Sequence, residues 1–158
     1  AVSEGAVAVV RGGWDAAMEL VVVPAGSVKE AAAAAEVVKQ SSTFQVKKLY
    51  LSKPRPIKFD TPNGYAWMYF YPPKNAKSSA PPGTLPPLLL KSHGGPTASA
   101  STQFNLGIQY WTSRGYAVAD VDYGGSTGYG RAFRDALKGQ WGVRDVQDCA
   151  AAAQYLSG

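Results

Sequence analysis

The stretch that decides the fold runs from residue 88 to residue 96, Leu88-Leu89-Leu90-Lys91-Ser92-His93-Gly94-Gly95-Pro96. A short apolar run that ends abruptly in glycine and proline is typical of a buried strand, here predicted over 88–92 and parallel to a neighbour. The two glycines let the backbone turn sharply and bring N–H groups close to a ligand. Because open α/β sheets bind ligands where strands end in such loops, we expect a binding edge at residues 93–96.

The residues after this loop repeat the pattern of helix, strand and glycine-rich loop. Apolar periodicity predicts a helix over 103–113, a second buried strand over 116–121 and a further helix after Gly142. Strand–helix–strand units of this kind are parallel and right-handed by strong precedent. The class is therefore α/β, with a mostly parallel sheet and flanking helices.

The residues before the loop favour antiparallel hairpins. One is predicted from strands over 7–10 and 19–23, and another from strands over 57–59 and 65–71 with Asn63-Gly64 at its tip. Residues 25–42 are compatible with an alanine-rich helix or with a strand, and this choice stays open. Lys53-Pro54-Arg55-Pro56 predicts an extended connector, so we expect a domain boundary near residue 50.

Composition and charge exclude several classes of function. The chain has 158 residues, 46% hydrophobic and 17% charged, with a net charge of +5. Its basic residues are scattered among loops and strands, which favours a solvated surface over a nucleic-acid interface. It has no apolar run of transmembrane length, so we expect no membrane partner. The single cysteine, Cys149, excludes an internal disulfide framework, and an intracellular location is favoured.

Few side chains are candidates for chemistry. His93 is the only histidine and adjoins the glycine loop, while Cys149 falls on an apolar helix face and is predicted to be packed. One histidine and one distant cysteine do not support a metal site. The loop over 124–130 lacks the spacings of dinucleotide and phosphate loops, so no cofactor is expected. Asp122 is placed to approach a ligand, but we favour the alternative that Asp120 and Asp122 brace the following loop.

Four blocks resemble a known family. Residues 87–97, 109–117, 120–130 (Asp-Val-Asp-Tyr-Gly-Gly-Ser-Thr-Gly-Tyr-Gly) and 139–149 are similar, in that order, to the acylaminoacyl-peptidase and dipeptidyl-peptidase-like branch of the prolyl oligopeptidase family. The resemblance is looser over 50–86. It implies that residues 51–158 form the first half of an α/β-hydrolase catalytic domain, and that residues 1–50 end a β-propeller-like domain.

The resemblance also implies a function and a site. The function is serine peptidase chemistry on short peptides, of the aminoacyl- or dipeptidyl-peptidase type. By motif match, the backbone N–H of Gly95 is one donor of the oxyanion hole, in a loop with His93, Gly94 and Pro96. His93 occupies the place where other branches carry a tyrosine that serves the oxyanion, and it is not the family's catalytic histidine.

The family's nucleophile elbow, acid and base lie further along the chain than these blocks. We therefore expect no Gly-x-Ser-x-Gly elbow and no catalytic triad here, and no activity for this chain by itself. Expected partners are a peptide substrate in the complete enzyme, and the rest of the catalytic domain or another protein on the open sheet edge. The alternatives are a non-catalytic interaction module in a larger assembly and, more weakly, an esterase on the same fold.

Overall fold

The computed structural model describes residues 2–3, 5–26, 28–95 and 97–158. The chain divides into two compact units, the first formed by residues 1–47 with 103–105 and the second by residues 48–102 with 106–158. Each unit is built on its own four-stranded sheet. The two are described separately below.

The first unit is an antiparallel sheet. Its elements are β1 (Val2–Ser3), β2 (Ala6–Arg11), β3 (Glu19–Pro24), α1 (Val28–Ala33) and β4 (Glu36–Gln40), with the strands in sheet order β1-β2-β3-β4. The predicted hairpin over 7–23 is confirmed, with Val7 opposite Val23. Residues 25–42 contain both alternatives in succession, because the alanine run forms a short helix and the β-branched residues after it form a strand.

The second unit combines four strands with three helices. Its elements are a 3-10 turn (Lys48–Tyr50), β5 (Arg55–Thr61), β6 (Gly64–Tyr71), β7 (Leu88–Ser92), α2 (Leu106–Thr112), β8 (Ala117–Asp122), α3 (Arg131–Asp135) and α4 (Arg144–Ser157). The sheet order is β5-β6-β8-β7. β7 has the predicted bounds, α2 is shorter than the predicted 103–113, and α3 was not predicted.

The strand directions correct the prediction of a mostly parallel sheet. β7 and β8 are parallel as predicted, but the pairs β5–β6 and β6–β8 are antiparallel. The physical reason lies in the connections. A two-residue link such as Pro62-Asn63 joins only antiparallel strands, whereas the helical crossover through α2 permits the parallel pair. Among the described residues, the sheet is therefore mixed.

β8 is the buried centre of this unit, and all six of its residues are buried. Side chains alternate across a strand, so successive residues face opposite layers. Ala119 and Val121 pack with Ala152 of α4, whereas Val118 packs with Ile108 of α2. Helices therefore cover both faces of the sheet, and the loops after β7 and β8 leave it at the same edge. None of the helices in the described part of the chain is long and apolar enough to cross a membrane.

Candidate functional site

The glycine loop begins where β7 ends. Because β8 runs parallel to β7, the loop after β8 emerges beside it. His93 has a largely buried side chain, while Gly94 and Gly95 are exposed. Pro96, the fourth predicted residue of the loop, lies outside the described residues.

Position 95 requires glycine because of its backbone conformation and not because a side chain would lack space. Its φ is +73°, in the left-handed region, yet a Cβ built on it would meet no atom within 4 Å. Gly94 has equally open surroundings and no positive φ. Within the described ranges, no group accepts a hydrogen bond from the Gly95 N–H. This N–H is therefore available to a ligand.

Tyr123, the first residue after β8, lies against the glycine loop. Its Oη lies 3.0 Å from the carbonyl oxygen of His93 and 3.1 Å from that of Gly95. Its ring stacks on the imidazole of His93 with centroids 4.5 Å apart and planes at 21°. Burial, then the nearby Asp145, Cys149 and Asp122, raise the pKa of Tyr123, so its hydroxyl keeps its proton and can donate.

Ser126 fixes the other side of the imidazole. His93 Nε2 lies 2.6 Å from Ser126 Oγ, and this hydroxyl donates its own hydrogen to the Tyr123 carbonyl at 2.8 Å. The serine oxygen can therefore only accept from the histidine, which requires a proton on Nε2. The loops after β7 and β8 are joined by this chain of bonds.

Residues 124–128, Gly-Gly-Ser-Thr-Gly, satisfy the Gly-x-Ser-x-Gly pattern that was expected to be absent, and this corrects the sequence analysis. The geometry does not make Ser126 a nucleophile. An elbow serine leads from a strand into a helix with an exposed Oγ, whereas Ser126 is 0% exposed. A triad also places serine and aspartate at opposite ring nitrogens. Here Ser126 and Asp122 both face Nε2 of His93, the latter at 3.6 Å.

Asp122 braces the surrounding loops, in agreement with the favoured interpretation. It is 1% exposed and accepts hydrogen bonds of 2.6 Å from the Ala100 N–H and from the Tyr129 hydroxyl. Burial raises the pKa of Asp122, against the lowering effect of those two bonds and of His93. Asp120 instead forms an ion pair of 2.5 Å with Lys91, its register partner on β7.

Asp148 and Cys149 of α4 complete the surroundings. Asp148 is 0% exposed and accepts from the Gly124 N–H at 2.9 Å. Cys149 packs against the apolar cluster, as predicted. Burial, then the charges of Asp148 and Asp145, raise the pKa of Cys149 to about 11, so its thiol is not activated. No cluster of three metal-binding side chains occurs in the part of the chain that the structure describes.

Sequence reasoning missed four residues of this cluster, namely Tyr123, Ser126, Tyr129 and Asp148. The Gly-x-Ser-x-Gly string and an aspartate on an otherwise apolar stretch of α4 were signals that could have indicated two of them. Nothing local marks Tyr123, because its partners lie about thirty residues earlier in the chain, whereas Tyr129 bonds to Asp122, seven residues before it.

Comparisons with known proteins bear on this region. Residues 102–158 match the model of the prolyl oligopeptidase family. The chain is 41% identical over 69 residues to dipeptidyl aminopeptidase BIII of Pseudoxanthomonas mexicana, covering 44% of this chain and 10% of that protein. It is 36% identical over 73 residues to the acylamino-acid-releasing enzyme of Arabidopsis thaliana, covering 46% and 10%. The chain thus spans about a tenth of the curated relatives that it matches.

Solved structures are similar over nearly the whole chain. A puromycin-hydrolysing peptidase of Mycobacterium tuberculosis superposes with a TM-score of 0.87 and 42% identity, over 96% of this chain and 23% of that one. The acylaminoacyl peptidase of Pyrococcus horikoshii gives a TM-score of 0.73 over 98% of this chain and 23% of that one. At 20% identity, the latter likeness concerns the fold alone.

Proposed function

Because the chain belongs to the prolyl oligopeptidase family of serine peptidases, we propose that it contributes half of an oxyanion hole to the hydrolysis of short peptides. The donor is the backbone N–H of Gly95. His93 and Gly94 belong to the loop that carries it, as does Pro96. The reaction is acyl transfer to a serine, in which the carbonyl oxygen of the substrate becomes negatively charged.

The free N–H of Gly95 carries this proposal. An oxyanion hole needs donors that are already oriented towards the position of the developing charge. Gly95 combines an N–H that has no acceptor among the described residues, a positive φ and an empty Cβ position. A bulkier residue in the same conformation would be strained, and the N–H would lose this orientation.

The two units are assigned within the same proposal. Residues 51–158 are the first half of an α/β-hydrolase domain, supported by the parallel pair β7–β8 and by helices on both faces of the sheet. Residues 1–50 are the end of a β-propeller-like domain, supported by their four-stranded antiparallel sheet. Propellers are built of such four-stranded blades.

This chain supplies the loop and not the nucleophile. Among the residues that the structure describes, the serine that lies within hydrogen-bond distance of His93 is Ser126, which is buried and donates to a backbone carbonyl. The proposal therefore predicts no hydrolysis by these 158 residues alone.

The exposed edge of β7 is where a partner would bind. β7 has β8 on one side and no neighbour on the other among the described strands, and Leu90 is 38% exposed. Unpaired edges favour strand addition. A strand of the rest of the catalytic domain, or of another protein, fits this edge. The same observation supports the alternative of a non-catalytic module held in a larger assembly, which predicts that Gly95 has no effect on any hydrolysis.

The experiment removes the Gly95 N–H without changing a side chain. We place this chain in the puromycin-hydrolysing peptidase of M. tuberculosis in place of the corresponding segment, and exchange the Gly94–Gly95 peptide bond for an ester. An ester has no N–H, so kcat for puromycin should fall by about 10²–10³-fold, the typical effect of losing one oxyanion donor. Stopped assays at saturating substrate measure kcat.

The matched control is an ester between Pro82 and Gly83, because Gly83 also has a positive φ and an empty Cβ position but lies in the exposed segment before β7. It should leave kcat within about 3-fold of the parent, since its N–H is not a proposed oxyanion donor. Equal loss from both esters, or none from either, contradicts the assignment of Gly95. A fluorophosphonate probe applied to the 158-residue chain checks the missing nucleophile. Labelling of Ser126, or of any other serine of the chain, would contradict that part of the proposal.

A further inference from the structure

The hydroxyl of Tyr123 contacts the glycine loop at two carbonyl groups, which lie before and after the peptide that carries the Gly95 N–H. The carbonyl of His93 belongs to the peptide before the Gly94–Gly95 peptide, and the carbonyl of Gly95 belongs to the peptide after it. Oη lies 3.0 and 3.1 Å from these two oxygens. Resting on the proposed function, we infer that Tyr123 is the positioning residue of the oxyanion loop, holding the peptide that carries the Gly95 N–H in one orientation.

The loop needs such a restraint from outside. Gly94 and Gly95 have no side chains, and the space where a Cβ would stand is empty at both positions. Ordering the backbone of a residue costs conformational entropy, and glycine has the most freedom to lose. The Tyr123 hydroxyl has one hydrogen, which it shares between the two flanking carbonyls in a bifurcated bond. This bond restrains the peptide between them from both sides, since each peptide unit is planar.

Tyr123 is itself held rigidly. It is 5% exposed and belongs to the apolar cluster between the sheet and α4. The next residue, Gly124, donates its N–H to the buried Asp148, and the Tyr123 carbonyl accepts from Ser126. The stacked imidazole of His93, bonded to Ser126, prevents the phenol ring from swinging away. The Tyr123 hydroxyl therefore holds the loop against the packed core of the unit.

The inference predicts a particular kinetic signature. If the orientation of the Gly95 N–H fluctuates, the substrate still binds through its other contacts. The N–H must then be reoriented as the negative charge develops on the substrate oxygen. Loss of the Tyr123 hydroxyl should therefore lower kcat and leave KM nearly unchanged. A residue that served only folding would instead lower the fraction of active molecules, with kcat per active site unchanged.

The first test is Tyr123→Phe in the same M. tuberculosis chimaera, with active sites counted by fluorophosphonate titration. Phenylalanine keeps the ring stack and removes only the hydroxyl. We expect kcat per active site to fall about 10- to 100-fold, as misplacement of reacting groups by fractions of an ångström does, with KM within about 3-fold. Tyr155→Phe, at a tyrosine 53% exposed on α4, is the matched control and should equal the parent.

A donor returned to the same place should restore the rate. Replacing the Tyr123 hydroxyl by an amine, as 4-aminophenylalanine, is expected to recover most of the lost kcat. If kcat per active site is unchanged in Tyr123→Phe while the Gly94–Gly95 ester still abolishes turnover, the inference is overturned and the proposed function stands.

The second test needs no activity. NMR relaxation of the full 158-residue chain, labelled with 15N, should give lower order parameters for the Gly94 and Gly95 amides in Tyr123→Phe than in the parent or Tyr155→Phe, because the loop loses its restraint. Unchanged order parameters overturn the inference. If the order parameters fall but the Gly94–Gly95 ester has no kinetic effect, the restraint is established and the oxyanion function is the part that fails.

Discussion

Two glycine-rich loops leave the same edge of the sheet in the second unit, and they require glycine for different physical reasons. After β7, a Cβ on Gly94 or Gly95 would meet nothing within 4 Å. After β8, a Cβ on Gly124 would overlap the guanidinium group of Arg144, and one on Gly125 would lie 2.7 Å from Cβ of Leu137. In the first loop, glycine leaves the backbone open to a ligand. In the second, Gly124 and Gly125 let the backbone pack closely against α4 and the turn after α3.

The hydrogen bonds follow the same division. In the loop after β8, successive N–H groups are used within the protein, with acceptors on Asp148, Phe133, Tyr123 and Ala98. In the loop after β7, the Gly95 N–H has no acceptor among the residues that the structure describes. Glycine content alone therefore does not identify a ligand loop. Among the described residues that directly follow the two strands, 93–95 and 123–127, Gly95 alone combines a positive φ with an N–H that has no acceptor.

The largest expected effect is on the packed loop. Gly125→Ala should reduce the free energy of unfolding by roughly 2–5 kcal/mol, the sum of left-handed strain and of overpacking against Leu137. The φ of Gly125 is +120°, and the opposing atom is the Cβ of Leu137, which cannot move without its backbone. Urea denaturation of the chain measures this change.

Gly128→Ala is the matched control within the same loop. Gly128 also has a positive φ, of +97°, but its Cβ position is empty. It should lose only about 1–2 kcal/mol, from strain alone. Equal losses at the two positions would mean that packing against Leu137 is not what requires glycine.

An intermediate effect is expected at the open loop. Gly95→Ala meets no atom, so the free energy of unfolding should fall by about 1–2 kcal/mol, from backbone strain. In the chimaera, the same substitution should lower kcat, because relief of the strain turns the peptide of Gly95. Gly94→Ala, where φ is not positive, should change neither quantity appreciably. A stability loss at Gly95 as large as that at Gly125 would remove the distinction between the two loops.

Local pattern determined which elements could be predicted. The strand over 88–92 has the predicted bounds because three leucines are bounded by a glycine turn, and the β5–β6 hairpin follows from Asn63-Gly64. The direction of β6 relative to β8 could not be read in this way, because those strands are far apart in sequence. The sheet is mixed because β6 pairs with β8, which is distant in sequence, and the apolar pattern within each strand carries no information on such pairing.

The residues of the candidate site also differ in whether the sequence could predict them. Gly95 could be assigned by motif because its role depends on its own backbone. Tyr123 and Ser126 were missed because their roles depend on partners about thirty residues away. Asp122 was interpreted correctly as a brace, since a carboxylate that alternates on a buried strand requires donors nearby. Its two donors, the Ala100 N–H and the Tyr129 hydroxyl, were not predictable.

The smallest expected effect concerns this buried carboxylate between the two loops. Burial raises the pKa of Asp122 above its ordinary value of 3.8, so the folded chain binds this proton more tightly than the unfolded chain. Its contribution to the free energy of unfolding is therefore full below that ordinary value and is lost as pH rises through the raised pKa. The side chain of Asp122→Asn does not titrate. As pH rises through this range, the free energy of unfolding of the variant should therefore increase relative to that of the parent, as measured by urea denaturation at successive pH values. The exposed Asp60→Asn controls for the loss of one charge. A parent that gains stability over the variant as pH rises would show that the bonds from Ala100 and Tyr129 outweigh burial, and that Asp122 joins the loops as a stabilising anion.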